Sequence, residues 1–300
     1  MKKTVRMENV CFAIIMTLLL LIIGIAPIQA EEARLVTAPA PAAAEEEKPT
    51  ADFAVSPLTK YLWRGYEMTR DSIVIQPSLT VAYKGFSANL WGNLDTRPYS
   101  SVPGTKNSGN WTETDLMFSF TKAFGPVNAG VGYIYYSLNA PYAGVVDPLD
   151  SQEIFVTLGL NKLFTPTLTV YKEIDHYHQW YILLGISHAF ELSKSVSLKL
   201  AASGSYLKSE DAALGKYPKY DGDALATSDK YNNFHDGVIT VSLPITPAKY
   251  ITVTPLLSYV FPLCDDAKNE IKGRGLQDTS TPAERDSSFL YGGVTFDFAF

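Results

Sequence analysis

Cysteine is nearly missing from this chain of 300 residues, which has only Cys11 and Cys264. Two thiols build neither a zinc cluster nor the disulfide framework of a small secreted domain, and a chain that loses Cys11 in processing has no internal bridge. Basic runs are missing too. With a formal charge of −6 and no cluster of Lys or Arg, nucleic acid is excluded as a partner, because affinity for a phosphate backbone comes mainly from clustered cations. No P-loop, GxGxxG or nucleophile elbow occurs, which removes the usual phosphate cradles and the activated serine. Past residue 30 there is no apolar run of about eighteen residues, so no further helix long enough to cross a bilayer is available.

What the chain does have is aromatic and glycine content: 12 % Phe, Trp and Tyr, 18 Tyr and 20 Gly, beside only 19 % charged residues. That balance points to one large β structure rather than two ordinary domains. The strongly apolar stretch lies at the start. Lys2, Lys3 and Arg6 precede an apolar core from Phe12 to Ala26, and Ile28-Gln29-Ala30 supplies a small-residue cleavage site before Glu31. The reading is a bacterial secretory signal over residues 1–30, cut after Ala30. A retained anchor is the alternative, disfavoured by Pro27 and the cleavage-like site. Residues 31–50, rich in Ala, Pro and Glu and without aromatics, read as a flexible linker, leaving 51–300 as one folded unit.

From Asp52 to Phe300 the texture is period two. Ile75, Pro77, Leu79, Val81 and Tyr83 oppose Gln76, Ser78, Thr80 and Ala82, and Ile154, Val156, Leu158 and Leu160 oppose Glu153, Thr157 and Asn161. The same alternation recurs to Leu290–Phe300, giving about twelve strands of about ten residues, the length that crosses a bilayer at a tilt. Connections sharpen this. Tight turns at Lys84-Gly85, Ala123–Pro126, Leu163–Pro166, Glu191–Lys194 and Pro244–Ala248 alternate with long polar segments at Gly65–Ser72, Thr96–Asn110, Asn139–Asp150, Lys208–Phe234 and Pro262–Ser287. Glu173–Gln179 is a modest exception. The expected fold is all-β, an antiparallel up-and-down transmembrane β-barrel with turns in the periplasm and loops outside. A soluble β-sandwich shares the period. Against it stand Pro57, Pro77, Gly92 and Pro255 inside apolar strands, and rings near strand ends (Tyr61, Trp63, Tyr83, Tyr135, Trp180, Tyr206, Tyr259, Phe261) placed like interfacial girdles. The closing VTFDFAF, with Phe296, Phe298 and Phe300, resembles the signal by which the outer-membrane assembly machinery recognises its substrates.

The run Val55 to Asp95 resembles the opening of the TorF-type porin family. Tyr61, Trp63, Arg64 and Gly65 match a Tyr-x-x-Arg-Gly element, Gln76 and Pro77 a Pro-bearing strand, and Gly85, Phe86, Trp91, Gly92 and Asn93 the hairpin that follows. The match is close over these residues and only stylistic beyond them, and Gly92 stands where the pattern usually has Ser. The resemblance implies a channel and names no solute.

A barrel of twelve strands has a backbone radius of roughly 12 Å, so function rests on inward side chains. The pattern points Lys60, Arg64, Asp95, Asp115, Glu153, Glu173, Lys199 and Asp297 inward, since a cation on the lipid face costs roughly 2 to 4 kcal/mol at mid-depth. They would line a pore, or pair across the lumen and plug it. Arg64 is the leading single candidate, with a loop residue anchoring its turn as the alternative. His176 and His178 make a weak metal pair. Asp175-His176 with Asp265-Asp266 are similar to omptin protease elements but come in the opposite chain order, and no outer-membrane phospholipase pattern follows His188. Neither an enzyme, a metal nor a cofactor is expected, and Cys264 reads as incidental. The expected function is passive diffusion of small hydrophilic solutes or ions through an outer-membrane porin of a Gram-negative bacterium, with mild cation selectivity because acidic residues outnumber basic ones in the longest loops and on the inward faces. A binding or structural barrel with an occluded lumen is second, and a barrel hydrolase third. Outer-membrane lipid, the assembly machinery and small hydrophilic solutes are the expected partners, and a homo-oligomer stays open because no face of the sequence specifies one.

Overall fold

The computed structural model describes residues 48–100, 107–140, 148–213, 216–276 and 280–300. Residues 1–47, where the signal and most of the linker are expected, lie outside the described residues, as do parts of four long connections. Twelve antiparallel strands close into one barrel: β1 (Thr50–Leu58), β2 (Val74–Tyr83), β3 (Phe86–Asp95), β4 (Asn110–Phe124), β5 (Val127–Leu138), β6 (Ser151–Leu160), β7 (Thr167–Glu173), β8 (Gln179–Ser193), β9 (Val196–Ser209), β10 (Asn232–Ser242), β11 (Ile251–Pro262) and β12 (Phe289–Ala299). Each strand pairs with its chain neighbours, and β1 pairs with β12 to close the ring, with Val55 opposite Phe296 and Leu58 opposite Gly293. Closure removes both sheet edges.

The alternation sets which face is which. On β2 Leu79 and Val81 are exposed outward, and so are Leu116 and Phe118 on β4 and Ile154, Val156 and Leu158 on β6. Their neighbours of opposite parity, among them Asn89, Asp115, Glu153, Thr240 and Ser258, are buried inside. A soluble protein does the reverse, because exposing a continuous apolar band to water costs free energy in proportion to its area. The barrel therefore wears its apolar side toward lipid. Among the described residues no helix is long and apolar enough to cross a membrane.

The tight turns gather at one end, here the turn end. Tyr83 pairs with Phe86 across Lys84 and Gly85, which have φ of 50° and 85°. Two positive φ values are the mark of the hairpin turn whose twist matches the flanking strands. A Cβ on Gly85 would meet the Thr121 carbonyl at 2.6 Å, so glycine is required there on two counts.

The long connections gather at the loop end, and three of them fold inward. After Leu58 the chain leaves the wall, and Leu62–Trp63 pairs with Tyr66–Glu67 as a small hairpin inside the barrel. Tyr61 and Trp63, expected in a lipid-facing girdle as part of an opening strand, sit instead inside the lumen, Tyr61 4 % exposed and Trp63 packed against the core. The β9–β10 connection forms a second hairpin, Pro218–Tyr220 with Ala226–Lys230. The β11–β12 connection, expected as loop, contains α1 (Asp265–Arg274). Its capping is in the sequence: Asp265 and Asp266 favour the positive helix start, Lys272 and Arg274 the negative end, and Cys264 Sγ accepts from the Ala267 N–H. Ala267, Glu270 and Ile271, three and four residues apart, form the face turned into the barrel.

The core thus lies in the lumen. Met117, Ile134, Phe155, Leu183, Val238 and Val260 pack from the wall against Leu62 of the inner hairpin and Ile271 of α1.

Candidate functional site in the barrel lumen

Below the apolar layer, toward the turn end, the lumen is a cup of short hydroxyl side chains. Thr240 and Ser258 bond at 2.8 Å, Thr157 and Thr169 at 3.1 Å, and Ser56 and Thr295 at 2.9 Å, each pair bridging neighbouring strands. Ser78, Thr80, Ser119, Thr121, Thr157 and Thr295 remain partly accessible from inside. Of the predicted residues, Lys199 and Asp297 fall here, both partly exposed. Asp297 shares its inward face with Asp52 of the paired strand.

The other six predicted residues fall in the loop-end half, where each is tied to a partner or closely packed. Arg64 projects from the inner hairpin to the wall, where Nη1 and Nη2 donate to Glu153 Oε1 and Oε2, both at 2.7 Å. Tyr136 donates to the same carboxylate at 3.0 Å. The guanidinium carbon lies 4.2 Å from the ring centre of Tyr181, 4.8 Å from Trp63 and 4.9 Å from Tyr171. Arg64 is 7 % exposed and Glu153 1 %. A buried pair of this kind persists only with near-ideal geometry, because desolvating both charges costs several kcal/mol each. The fork-to-fork arrangement and the rings provide that geometry.

Lys60 and Arg70 both pair with Glu67 on the inner hairpin. Asp95 accepts from Ser72 and from the Arg97 N–H, pinning the chain where it re-enters the wall. Asp115 is buried 2 % exposed on the inward face of β4. Glu173 ends β7 and accepts the backbone N–H groups of Asp175, His176, Tyr177 and His178 together with the Ser151 hydroxyl, so it organises a connection of its own.

Several further groups belong to this half, and one of them escapes the alternation pattern. Glu113 accepts from the Tyr61 hydroxyl at 2.9 Å, and extending the parity of Asp115 by two residues identifies it. Asp236 accepts from Tyr181 at 3.0 Å and Ser205 at 2.6 Å, and lies four residues back from Thr240 on the same face. His235 is wholly buried next to it, because the β9–β10 register shifts between Gly204 and Tyr206 and turns two consecutive side chains inward. No period-two signal can find it. His235 Nδ1 meets Asp236 at 2.9 Å and Nε2 meets Glu270 of α1 at 2.9 Å, where Tyr66 also donates at 2.8 Å. Glu270 and Arg274 were legible only as loop charges.

Arg274 repeats the Arg64 arrangement on α1. Its guanidinium carbon is 4.1 Å from the Tyr217 ring centre and 5.4 Å from that of Tyr66, and its Nε lies 3.4 Å from Glu270 Oε1. Burial opposes its charge, but Tyr217, Tyr66 and Glu270 outweigh that and hold its pKa above the ordinary value. Burial pushes the Tyr217 phenol up to about 12, with Arg274 pulling the other way.

Among the described residues no group of three or more His, Cys, Asp and Glu is arranged to hold a metal ion. His176 Nδ1 lies 2.7 Å from the Asp150 carbonyl and 3.2 Å from Asp175, whereas Asp266 is engaged by Lys219 and Asn233.

No protein-family model and no curated protein matches the chain. Solved structures align with it along most of the barrel at very low identity. OmpT, an outer membrane protein of Vibrio cholerae, aligns at 8 % identity and a TM-score of 0.35, over 85 % of this chain and 97 % of that one. The anion-selective porin from Comamonas acidovorans aligns at 12 % identity and 0.32, over 85 % and 99 %. The outer membrane protease OmpT of Escherichia coli aligns at 10 % identity and 0.27, over 84 % and 96 %. The closed antiparallel ring, with an apolar outward face and all its buried charged side chains inside, defines a transmembrane β-barrel of the outer-membrane type.

Proposed function

We propose that this protein is a gated, porin-like channel for small hydrophilic solutes or ions, without a catalytic step, cofactor or metal, and belongs to the TorF-type family. In this reading the signal is removed after Ala30, the C-terminal Phe296, Phe298 and Phe300 guide assembly, the turn end opens to the periplasm and the loop end faces outside. The carrying observation is the Arg64–Glu153 pair. Glu153 belongs to the wall, but Arg64 belongs to an inserted hairpin, and in this reading that hairpin is the gate, a segment whose departure would break no wall ladder.

A second reading is a permanently occluded barrel with a binding or structural role, favoured by the apolar layer of Met117, Ile134, Phe155 and Leu183. Planar-bilayer conductance decides between them. Refolded wild type should show small or infrequent openings, and Arg64→Gly, which suits the turn and vacates Glu153, should conduct several-fold more. If both are silent while heat-modifiability shows a folded barrel, the channel reading is wrong.

A further inference from the structure

The socket that receives Arg64 is built entirely by the wall, apart from Trp63. Tyr136, Glu153, Tyr171 and Tyr181 stand on four consecutive strands, β5 to β8, and point to one place. The register aligns them: Tyr171 is directly opposite Tyr181, and Phe155, two residues from Glu153, is opposite Tyr171. The rings of Phe155, Tyr171 and Tyr181 pack in series at a tilt, with centroids 5.6 Å apart for Phe155–Tyr171 and 6.1 Å for Tyr171–Tyr181. Further hydrogen bonds fix the lining, since Tyr181 donates to Asp236 and Tyr136 to Glu153. The socket is a carboxylate framed by electron-rich ring faces, which is the chemistry that selects a flat, weakly hydrated cation over a compact ammonium.

The guest arrives on a different kind of element. Trp63 pairs with Tyr66 across Arg64 and Gly65, whose φ values are 49° and 83°. Asn, Asp or Gly is preferred at the first of these positions, and a long side chain there carries backbone strain. Turn formation alone therefore does not account for arginine at position 64. Its guanidinium, filling the socket with two 2.7 Å bonds, does.

We propose that this socket is a binding site for guanidinium-type cationic solutes, occupied in the closed state by Arg64 as a tethered stand-in. The proposal rests on the channel reading and adds the solute class: a solute bearing a guanidinium competes with Arg64 for Glu153, and its binding releases the hairpin.

The test uses the full-length mature protein refolded in detergent, with ethylguanidinium as probe and ethylammonium as control, followed by calorimetry. Arg64→Gly and Arg64→Ala both vacate the socket, so the measurement does not depend on one variant folding. Either should bind ethylguanidinium about tenfold or more tightly than wild type, prefer it to ethylammonium, and lose that gain when Glu153→Gln is added. Equal affinity with and without Glu153, or no preference between the two cations, overturns the proposal. Bilayer recordings keep the two readings apart. Ethylguanidinium binding to a variant whose conductance stays at the wild-type level means that the socket exists and the gate does not. Raised conductance without ethylguanidinium binding means that the gate exists and the socket does not.

Discussion

The two halves of the lumen solve the same problem in opposite ways. Each must satisfy polar side chains that point away from lipid. At the turn end the wall does so with short hydroxyls that bond across neighbouring strands, such as Thr240–Ser258 and Ser56–Thr295, while Ser78, Thr121 and Thr157 stay partly accessible. At the loop end it carries carboxylates, and those are satisfied by cations and phenols on inserted segments: Glu153 by Arg64, Glu113 by Tyr61. Hydroxyls next to one another need no outside partner, whereas a buried carboxylate does. The sheet is continuous through both halves, so what differs is how much each depends on the connections.

That dependence predicts where substitutions hurt. Glu153→Gln leaves Arg64 buried without its charge partner and should destabilise the refolded barrel by about 3–5 kcal/mol in urea unfolding, while the double variant Arg64→Gly/Glu153→Gln should recover most of the loss. At the turn end Lys199→Ala should stay within about 0.5 kcal/mol, since Lys199 is partly exposed. Equal losses at both ends would break the comparison.

Water access is the next distinction. In a Cys264→Ser background, Thr121→Cys and Thr157→Cys should react quickly with a water-soluble thiol reagent, and Ser205→Cys, at a position 2 % exposed beside Asp236, should react slowly if at all. Rapid labelling at position 205 would mean that the loop-end half is not closed.

The inward and outward faces were legible in the sequence and the division of the lumen was not, for specific reasons. Period two placed Glu153 inside and Ile154 outside because a strand with one lipid face has no other choice. It also carried β1 on through Trp63, because Tyr61 and Trp63 continue the apolar parity while the Arg64-Gly65 turn that folds them inward sits beyond it. The α1 face of Ala267, Glu270 and Ile271 was readable at helical spacing, but ten residues within a long polar stretch make a weak signal. His235 depends on a bulge, which only the partner strand reveals.

The smallest effect expected is on ion preference. Asp52 and Asp297 against Lys199 leave the accessible cup mildly acidic, so reversal potentials in a salt gradient should favour cations, less so once salt near 0.1 M screens charges beyond about 10 Å. Lys199→Ala should strengthen the preference. Clear anion selectivity would move control of permeation to the loop end.

The pairing of β1 with β12 also dictates an order of events. Ser56 meets Thr295 at a sequence separation of 239, and Phe300 N–H returns to the Ala51 carbonyl at 2.8 Å. Every other ladder joins strands adjacent in the chain, so closure is the one contact whose loop entropy is large and whose partner is made last. The β5–β8 socket is assembled from neighbouring hairpins, independently of that event. The hairpin that carries Arg64 hangs between β1 and β2 and meets that socket across the lumen, so the contact between them forms only as the sheet curls toward a cylinder.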